Sequence, residues 1–362
     1  MPDNIKIMGQ FIPMRMVLKQ VFEIPGILTT CINYVTKQSR LSEPLMSILQ
    51  GQLWKDTTQL ISQRHVWPFV LYFDDFEVCN PFGSSSGIHK LGAIYYSIIG
   101  MPPEFLSSLE NIFLALLFHS SDRTEFGNQA TFQILIDELT FLQSEGIISL
   151  SGKEVQLYFK LMSILGDNLG LHSIFGLVES FTANFPCRFC KIDKETLKKD
   201  FTENVSLLRN PDNYEFDMSL NNPSLTGIKE NCVWNKIQGF HVTKNTSFDI
   251  MHDLLEVVCR YDMAAVINYF VKDVKLFSIN CLNSRIQLFD FCVIEDSNKP
   301  PTITNEHLKK KYLIMSASEM LCLVRYFSVI IGDLVNEDKW GLVVLFAIET
   351  NNRSCYKQII SN

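Results

Sequence analysis

Acidic side chains close two of the most apolar runs in this 362-residue chain. Asp74 and Asp75 follow Val66 to Phe73, and Asp167 follows Leu157 to Leu165 across Gly166. Runs of this length and character read as buried strands, and a carboxylate at a strand end has no part in core packing. Where two such strands lie side by side, their acids can hold divalent cations. Two-metal phosphoryl transfer needs acidic oxygens from separate elements, and Mg²⁺ takes carboxylates together with water and substrate oxygens. A plainer reading exists at both places: Asp75 opens a turn, and Asp167 caps a helix beginning near Leu169. Asp74 stays an alternative to Asp75, because consecutive strand residues point to opposite faces.

A second group is Cys187-Arg188-Phe189-Cys190. The two-residue gap lets both thiolates turn onto one cation, but a structural zinc site needs four ligands. His241 and Cys232 are further candidates with no motif behind them. The competing reading is a pair of buried free thiols.

The elements that must position these groups follow a mixed pattern. Residues 1–65 carry apolar residues at three-and-four spacings, broken at Pro25 and Pro44, which reads as a helical N-terminal region. Residues 66–186 read as three strands, a helix, a strand and a helix. The turn-rich string Asn80 to Gly87 joins the first strand to Lys90–Ile99 as a hairpin, and Ile112 to Phe118 makes a third strand. Helical spacing then runs from Asn128 to Leu142 with Gly146 as a stop, and again from Leu169 to Phe181 after the fourth strand. That order belongs to a layered α/β architecture. Residues 187–246 are polar, punctuated by Asn-Pro steps, and read as an insertion carrying the cysteine pair. From 247 to 362 the pattern is helical, through Asp249 to Phe270, Leu276 to Phe291, Ser316 to Ile331 and Trp340 to Ile348.

Composition narrows the class. With 47% hydrophobic residues the chain can bury one substantial core and a smaller second one. Despite 27 Phe and a positive mean hydropathy, no unbroken apolar run reaches the roughly 18 residues of a membrane span. No membrane partner is expected. Residues Met1 to Arg15 mix Asp3, Lys6, Gln10 and Arg15 among apolar ones, unlike a secretory signal. Ten cysteines in a cytosolic or nuclear chain read as reduced thiols. A formal net charge of −7 excludes nucleic-acid binding by bulk charge, so any such contact is local or runs through bound cations. The basic run Lys309 to Lys311 is too short to change this.

Taken together, several long strings resemble the CACTA-type DNA transposases of animals. They are Tyr72-Phe73-Asp74-Asp75-Phe76-Glu77-Val78-Cys79-Asn80-Pro81-Phe82-Gly83-Ser84 with Gly87-Ile88-His89-Lys90-Leu91, then Gly166-Asp167-Asn168-Leu169-Gly170-Leu171-His172. Glu179-Ser180-Phe181, Cys187-Arg188-Phe189-Cys190 and Asp249-Ile250-Met251-His252-Asp253-Leu254-Leu255-Glu256 follow in the family's order. The similarity runs from about Phe11 to Asp333. It implies a ribonuclease H-like mixed sheet with flanking helices, and Mg²⁺- or Mn²⁺-dependent cutting and joining of DNA at transposon ends, in the nucleus. By position Asp75 is then the first metal-binding carboxylate and Asp167 the second. The family's Cys pair is followed by an Asp-x-x-His element, here Asp249 to His252, which makes His252 the leading further ligand for Zn²⁺, ahead of His241. Val257 stands where the family has Gly. A homo-oligomer stays open.

The resemblance also implies a third acid from a late helix, in an Arg-Phe-Glu-Ala-Lys-His-like block. Nothing after Asp333 matches that block. Glu256, Glu319, Glu337 and Glu349 are the acids at hand, and each is more simply a solvated surface residue. Two acids hold a metal pair poorly, so the expectation is a transposase-derived core, weak or inactive as it stands. The alternative is a non-catalytic domesticated protein that keeps the fold for interaction or DNA association.

Overall fold

The computed structural model describes residues 9–41, 47–60, 65–78, 90–106, 108–149, 154–200, 202–291 and 296–335. They form two compact units, one up to Ser247 and one from Phe248. The expected turn at Asn80 to Gly87, the helix at Trp340 to Ile348, and Glu337 and Glu349 lie outside the described residues.

The first unit is a mixed α/β layer structure on a six-stranded sheet ordered β1-β4-β3-β2-β6-β5. Its strands are β1 Gln10–Phe11, β2 His65–Glu77, β3 Lys90–Ile98, β4 Phe113–His119, β5 Ile147–Ser149 and β6 Val155–Gly166. β2 and β3 pair antiparallel from Phe69↔Ile98 to Glu77↔Lys90, as the hairpin expectation required. β4 runs antiparallel to β3, and β6 lies parallel to β2 from His65↔Leu157 to Phe73↔Gly166. A parallel neighbour demands a crossover, and the helix between β4 and β6 supplies it. The short edge strands β1 and β5 carry too few residues to show a period. β2 continues four residues past Phe73, so Asp74 and Asp75 lie inside the strand and do not open a turn.

Helices α1 (Met14–Glu23), α2 (Ile27–Arg40), α3 (Gln52–Leu60), α4 (Pro103–Leu106), α5 (Ser120–Ser144) and α6 (Asn168–Ile174) cover the sheet. Met14, Leu18 and Phe22 of α1, Phe132, Leu135 and Leu139 of α5, and Leu171 and Ile174 of α6 share one core with Phe69, Leu71 and Phe73 of β2. Val70 of β2 and Met162 of β6 face the other way, against Leu49 and Trp54. Both sheet faces are therefore buried, which is why β2 reads as a continuous apolar run. Each large aliphatic or aromatic side chain so covered stabilises the fold by about 1.5–3 kcal/mol.

Two helices differ from expectation. α5 begins at Ser120, eight residues before Asn128, and its first seven residues are set off from the rest by Gly127 at φ 81°, ψ 168°. α6 stops at Ile174 and does not continue to Phe181. Gly176 turns the chain at φ +73°, with its backbone against the Glu230 carbonyl, and Leu177 then bridges to Ile228.

The second unit is helical. Ile250–Val258 and Tyr269–Asp273 are wound wider than an α-helix and flank Cys259–Asn268; Ile279–Leu288, Asn305–Lys310 and Ala317–Ile331 complete it. Ile267, Phe270, Leu282, Leu313, Met320, Leu323 and Ile331 form its core. No helix among the described residues is long and apolar enough to cross a membrane.

Candidate functional site

Parallel strands end at the same edge of a sheet, and functional groups gather there. Here β2, β4 and β6 run parallel, since β3 is antiparallel to both its neighbours. Asp75 lies two residues beyond Phe73 on β2, and Asp167 one residue beyond Gly166, the partner of Phe73 on β6. From the usual strand spacing and rise, their Cα atoms are on the order of 6 Å apart.

Side-chain direction separates Asp75 from Asp74. Phe69, Leu71 and Phe73 face α5 and α6, and by alternation Asp75 shares that face while Asp74 takes the other. Contacts agree: the Ser120 hydroxyl of α5 donates to Asp75 Oδ1 at 2.7 Å, and Arg123 Nη2 lies 3.8 Å from Oδ2. Gly92, the β3 partner of Asp75, makes room for it. A Cβ there would come within 2.5 Å of the Phe118 ring and 2.9 Å of Asp75 Oδ1.

Asp167 is the N-cap of α6, with extended backbone and Oδ1 accepting from the Gly170 amide. The plainer expectation of a helix cap therefore describes what Asp167 does in this structure. A cap oxygen and a metal-ligand oxygen are not exclusive, because a carboxylate has lone pairs to spare. Gly170 lets α6 approach β2 closely beside this carboxylate. A Cβ at that position would lie 2.7 Å from Asp167 Oδ1 and 3.0 Å from the Phe73 ring.

Arg123 escaped the sequence analysis. It is 12% exposed, its guanidinium sits 5.8 Å above the Phe73 ring, and Nη1 donates to Asn128 Oδ1 at 3.3 Å. Asn128 in turn donates to the Ser173 carbonyl and to Glu230, tying α5 to α6. The signal was a helix start at Ser120 directly after a strand, masked by Gly127.

The cysteine turn reaches the same region. Arg188 donates to Asn168, the residue after Asp167, and at 2.7 Å to the Ser247 carbonyl. Residues 189–191 bond to 207–209 through Arg209 N to the Phe189 carbonyl and Lys191 N to the Leu207 carbonyl. The Cys190 thiol donates to the Cys187 sulfur and brings Cys187 down to about 6 against the effect of burial; backbone amides, including Phe189 N at 3.4 Å, and the Arg209 charge assist. The shared proton raises Cys190.

The other candidates differ in their surroundings. His241 bonds Thr243 through Nδ1 while its Nε2 is buried without a hydrogen-bond partner, and burial holds its imidazole low. Cys232 is buried and pushed up to about 12 by desolvation. His172, from the Asp167 string, is buried and held below the usual imidazole value chiefly by desolvation, and its Nδ1–H donates to the Val178 carbonyl at 2.8 Å. In the second unit His252 bonds Asp249, the N-cap of its own helix. Glu319 accepts from the Ser316 amide and hydroxyl as a capping box, and Glu256 lies 4.0 Å from Arg260.

The donor types fit their expected metals in part. Two hard carboxylates suit Mg²⁺, yet Asp75 already faces a cation, Arg123. Two thiolates supply half of a zinc set. Among the described residues no group of three or more His, Cys, Asp or Glu side chains is placed to hold one metal ion. No family model matches the chain, and no curated protein matches it.

Proposed function

We propose that the chain is a transposase-derived, ribonuclease H-like core of the CACTA type, with two of its three acids in Asp75 and Asp167 and with weak or no activity by itself. One observation supports the reading: the two acids stand at the same ends of neighbouring parallel strands, Asp75 within β2 and Asp167 just beyond β6. The strand order supports it. An antiparallel meander of β2, β3 and β4, followed by a helix and a strand that returns parallel to the first, is what a ribonuclease H-like core requires.

In this reading Asp75 and Asp167 would hold Mg²⁺, which when bound activates the attacking oxygen and steadies the leaving one. The chain's own residues shape that task. Ser120 and the α6 amide orient the carboxylates, Gly92 and Gly170 keep the space around them open, and Phe73 closes the site against the core. Cys187 and Cys190 are proposed as two ligands of a structural Zn²⁺. DNA at transposon ends is the proposed partner, and the nucleus the proposed compartment.

The second reading, a domesticated interaction protein, is favoured by the protein donors that already engage both carboxylates. Mn²⁺ binding followed by electron paramagnetic resonance tests the site. The full chain binds Mn²⁺, and Asp75→Asn and Asp167→Asn each lose it. Absence of binding at millimolar Mn²⁺, or binding untouched by both changes, refutes the carboxylate reading. Mn²⁺-dependent nicking of a terminal-repeat DNA, abolished by Asp167→Asn, refutes the inactivity.

A further inference from the structure

We propose that Arg123 occupies the cation position of Asp75 and has to leave it before a divalent metal binds there. The inference rests on the carboxylate reading above and adds a residue that governs the site.

Both oxygens of Asp75 are engaged from the first turn of α5, Oδ1 by the Ser120 hydroxyl at 2.7 Å and Oδ2 by Arg123 at 3.8 Å. A metal bound to Asp75 would meet a like charge within a few ångströms. Like charges so close in a partly buried place repel strongly. Metal and guanidinium therefore compete for one carboxylate.

Arg123 is seated in a way that permits its release. Its ion pair with Asp75 is long, and its Nε–H is buried without a hydrogen-bond acceptor. A buried donor left unsatisfied costs about 1–3 kcal/mol, so turning toward water relieves part of the cost of leaving. The restraints opposing release are the 3.3 Å bond to Asn128 and the Phe73 ring beneath.

The backbone offers a hinge at the right place. Ser120 and Arg123 lie before Gly127, whose φ of 81° and ψ of 168° break the helix, and Asn128 and the sheet-packed residues lie after it. A Cβ at Gly127 would meet nothing within 4 Å. The turn carrying Ser120 and Arg123 can therefore shift without dragging Phe132, Leu135 and Leu139 from the core. In the metal-free state the arginine neutralises the acid; on metal binding the two separate.

The test uses the full chain and Mn²⁺ alone, with affinity read from the free-ion resonance. Arg123→Gln binds Mn²⁺ at least about fivefold tighter than the wild type, the lower end of ordinary site coupling, while Arg123→Lys stays near the wild type. Equal or weaker binding by Arg123→Gln, with binding still lost in Asp75→Asn, overturns the proposal and leaves the carboxylate reading standing. No binding by the folded wild type or by Arg123→Gln overturns both. A second measurement needs no substitution. Modification of Arg123 by an arginine-selective dicarbonyl, mapped by peptide mass, accelerates when Mn²⁺ is added. An unchanged rate under Mn²⁺ concentrations that saturate the protein also overturns the proposal.

Discussion

Lys160 is a buried cation on β6, 5% exposed, whose ammonium donates to the Gln238 carbonyl at 2.5 Å and to the Gln143 amide oxygen at 3.3 Å. Both acceptors are neutral. Burial pulls its pKa from 10.5 to about 8, a fall of about 2.5 units. At 1.36 kcal/mol per unit, carrying the charge into the folded state costs about 3 kcal/mol at neutral pH. Between pH 8 and 10.5 the unfolded chain binds the proton and the folded chain has released it, so Lys160 makes stability rise with pH across that window. Lys160→Met removes the rise. The Gln238 carbonyl keeps a second donor, Gln143 Nε2 at 2.8 Å, so at pH 7 the variant also gains most of the roughly 3 kcal/mol that the buried charge costs. Urea unfolding followed by circular dichroism at pH 7, 8, 9 and 10 measures this. The wild type gains about 2.5 kcal/mol relative to Lys160→Met from pH 7 to pH 10. Taking the difference removes the opposing contribution of Cys31 and Tyr96, whose burial raises them in both proteins. Parallel curves for the two proteins would refute the reasoning.

Other changes probe the site and its frame. Gly170→Ala places a Cβ 2.7 Å from Asp167 Oδ1 and 3.0 Å from the Phe73 ring; it lowers stability by about 1–3 kcal/mol and weakens Mn²⁺ binding, and unchanged Mn²⁺ affinity counts against Asp167 as a metal ligand. Glu138→Ala removes a buried carboxylate that accepts from Arg15 N and Nε at 2.8 Å each. Urea unfolding then shows a loss of about 2–3 kcal/mol, by the worth of hydrogen bonds to charged groups, and a loss below about 1 kcal/mol counts against this tie between α1 and α5. In metal-free protein Cys187, brought down to about 6, is alkylated by iodoacetamide at pH 7 faster than Cys190; Cys190 reacting first reverses the assignment of the shared proton. If the pair holds metal, Co²⁺ gives thiolate charge-transfer absorption that Cys187→Ser abolishes, and a spectrum identical in both proteins removes the zinc proposal.

The strands were legible because their apolar runs are long, but the face of each acid was not. Val70 and Leu71 are both buried, on opposite sides of the sheet, so β2 has no alternation from which Asp75 could be told from Asp74. Which of the two faces α5 became visible only through Ser120 and Arg123. Those two were hidden in turn, since helical spacing is regular only after Gly127, and a glycine with positive φ inside a helix leaves no mark on the apolar period. The helix expected to reach Phe181 failed for a tertiary cause. Gly176 bends where the Glu230 backbone approaches, 54 residues further along the chain, and local spacing carries no information about so distant a neighbour.

The segment holding the cysteine pair reads as an insertion because it is polar and punctuated by Asn-Pro steps. In the structure Tyr214, Ile228 and Trp234 from that segment are buried in the same core as β2 and α5, and Trp234 Nε1 donates to the Ile174 carbonyl at the end of α6. Its polar side chains are built in as well: Arg209 is buried and holds Asp217, the Thr226 carbonyl and the Cys187 carbonyl. Arg188, fixed between the two cysteines, bonds the first residue of the helix that Asp167 caps. The cysteine turn therefore sits one side chain away from a candidate metal-binding acid. Arg188→Met separates a remote brace from a supporting part of the site. If the turn only braces its own segment, Mn²⁺ affinity stays at the wild-type value; if it holds Asn168 and with it the first turn of α6, affinity falls while the folded circular dichroism spectrum is kept.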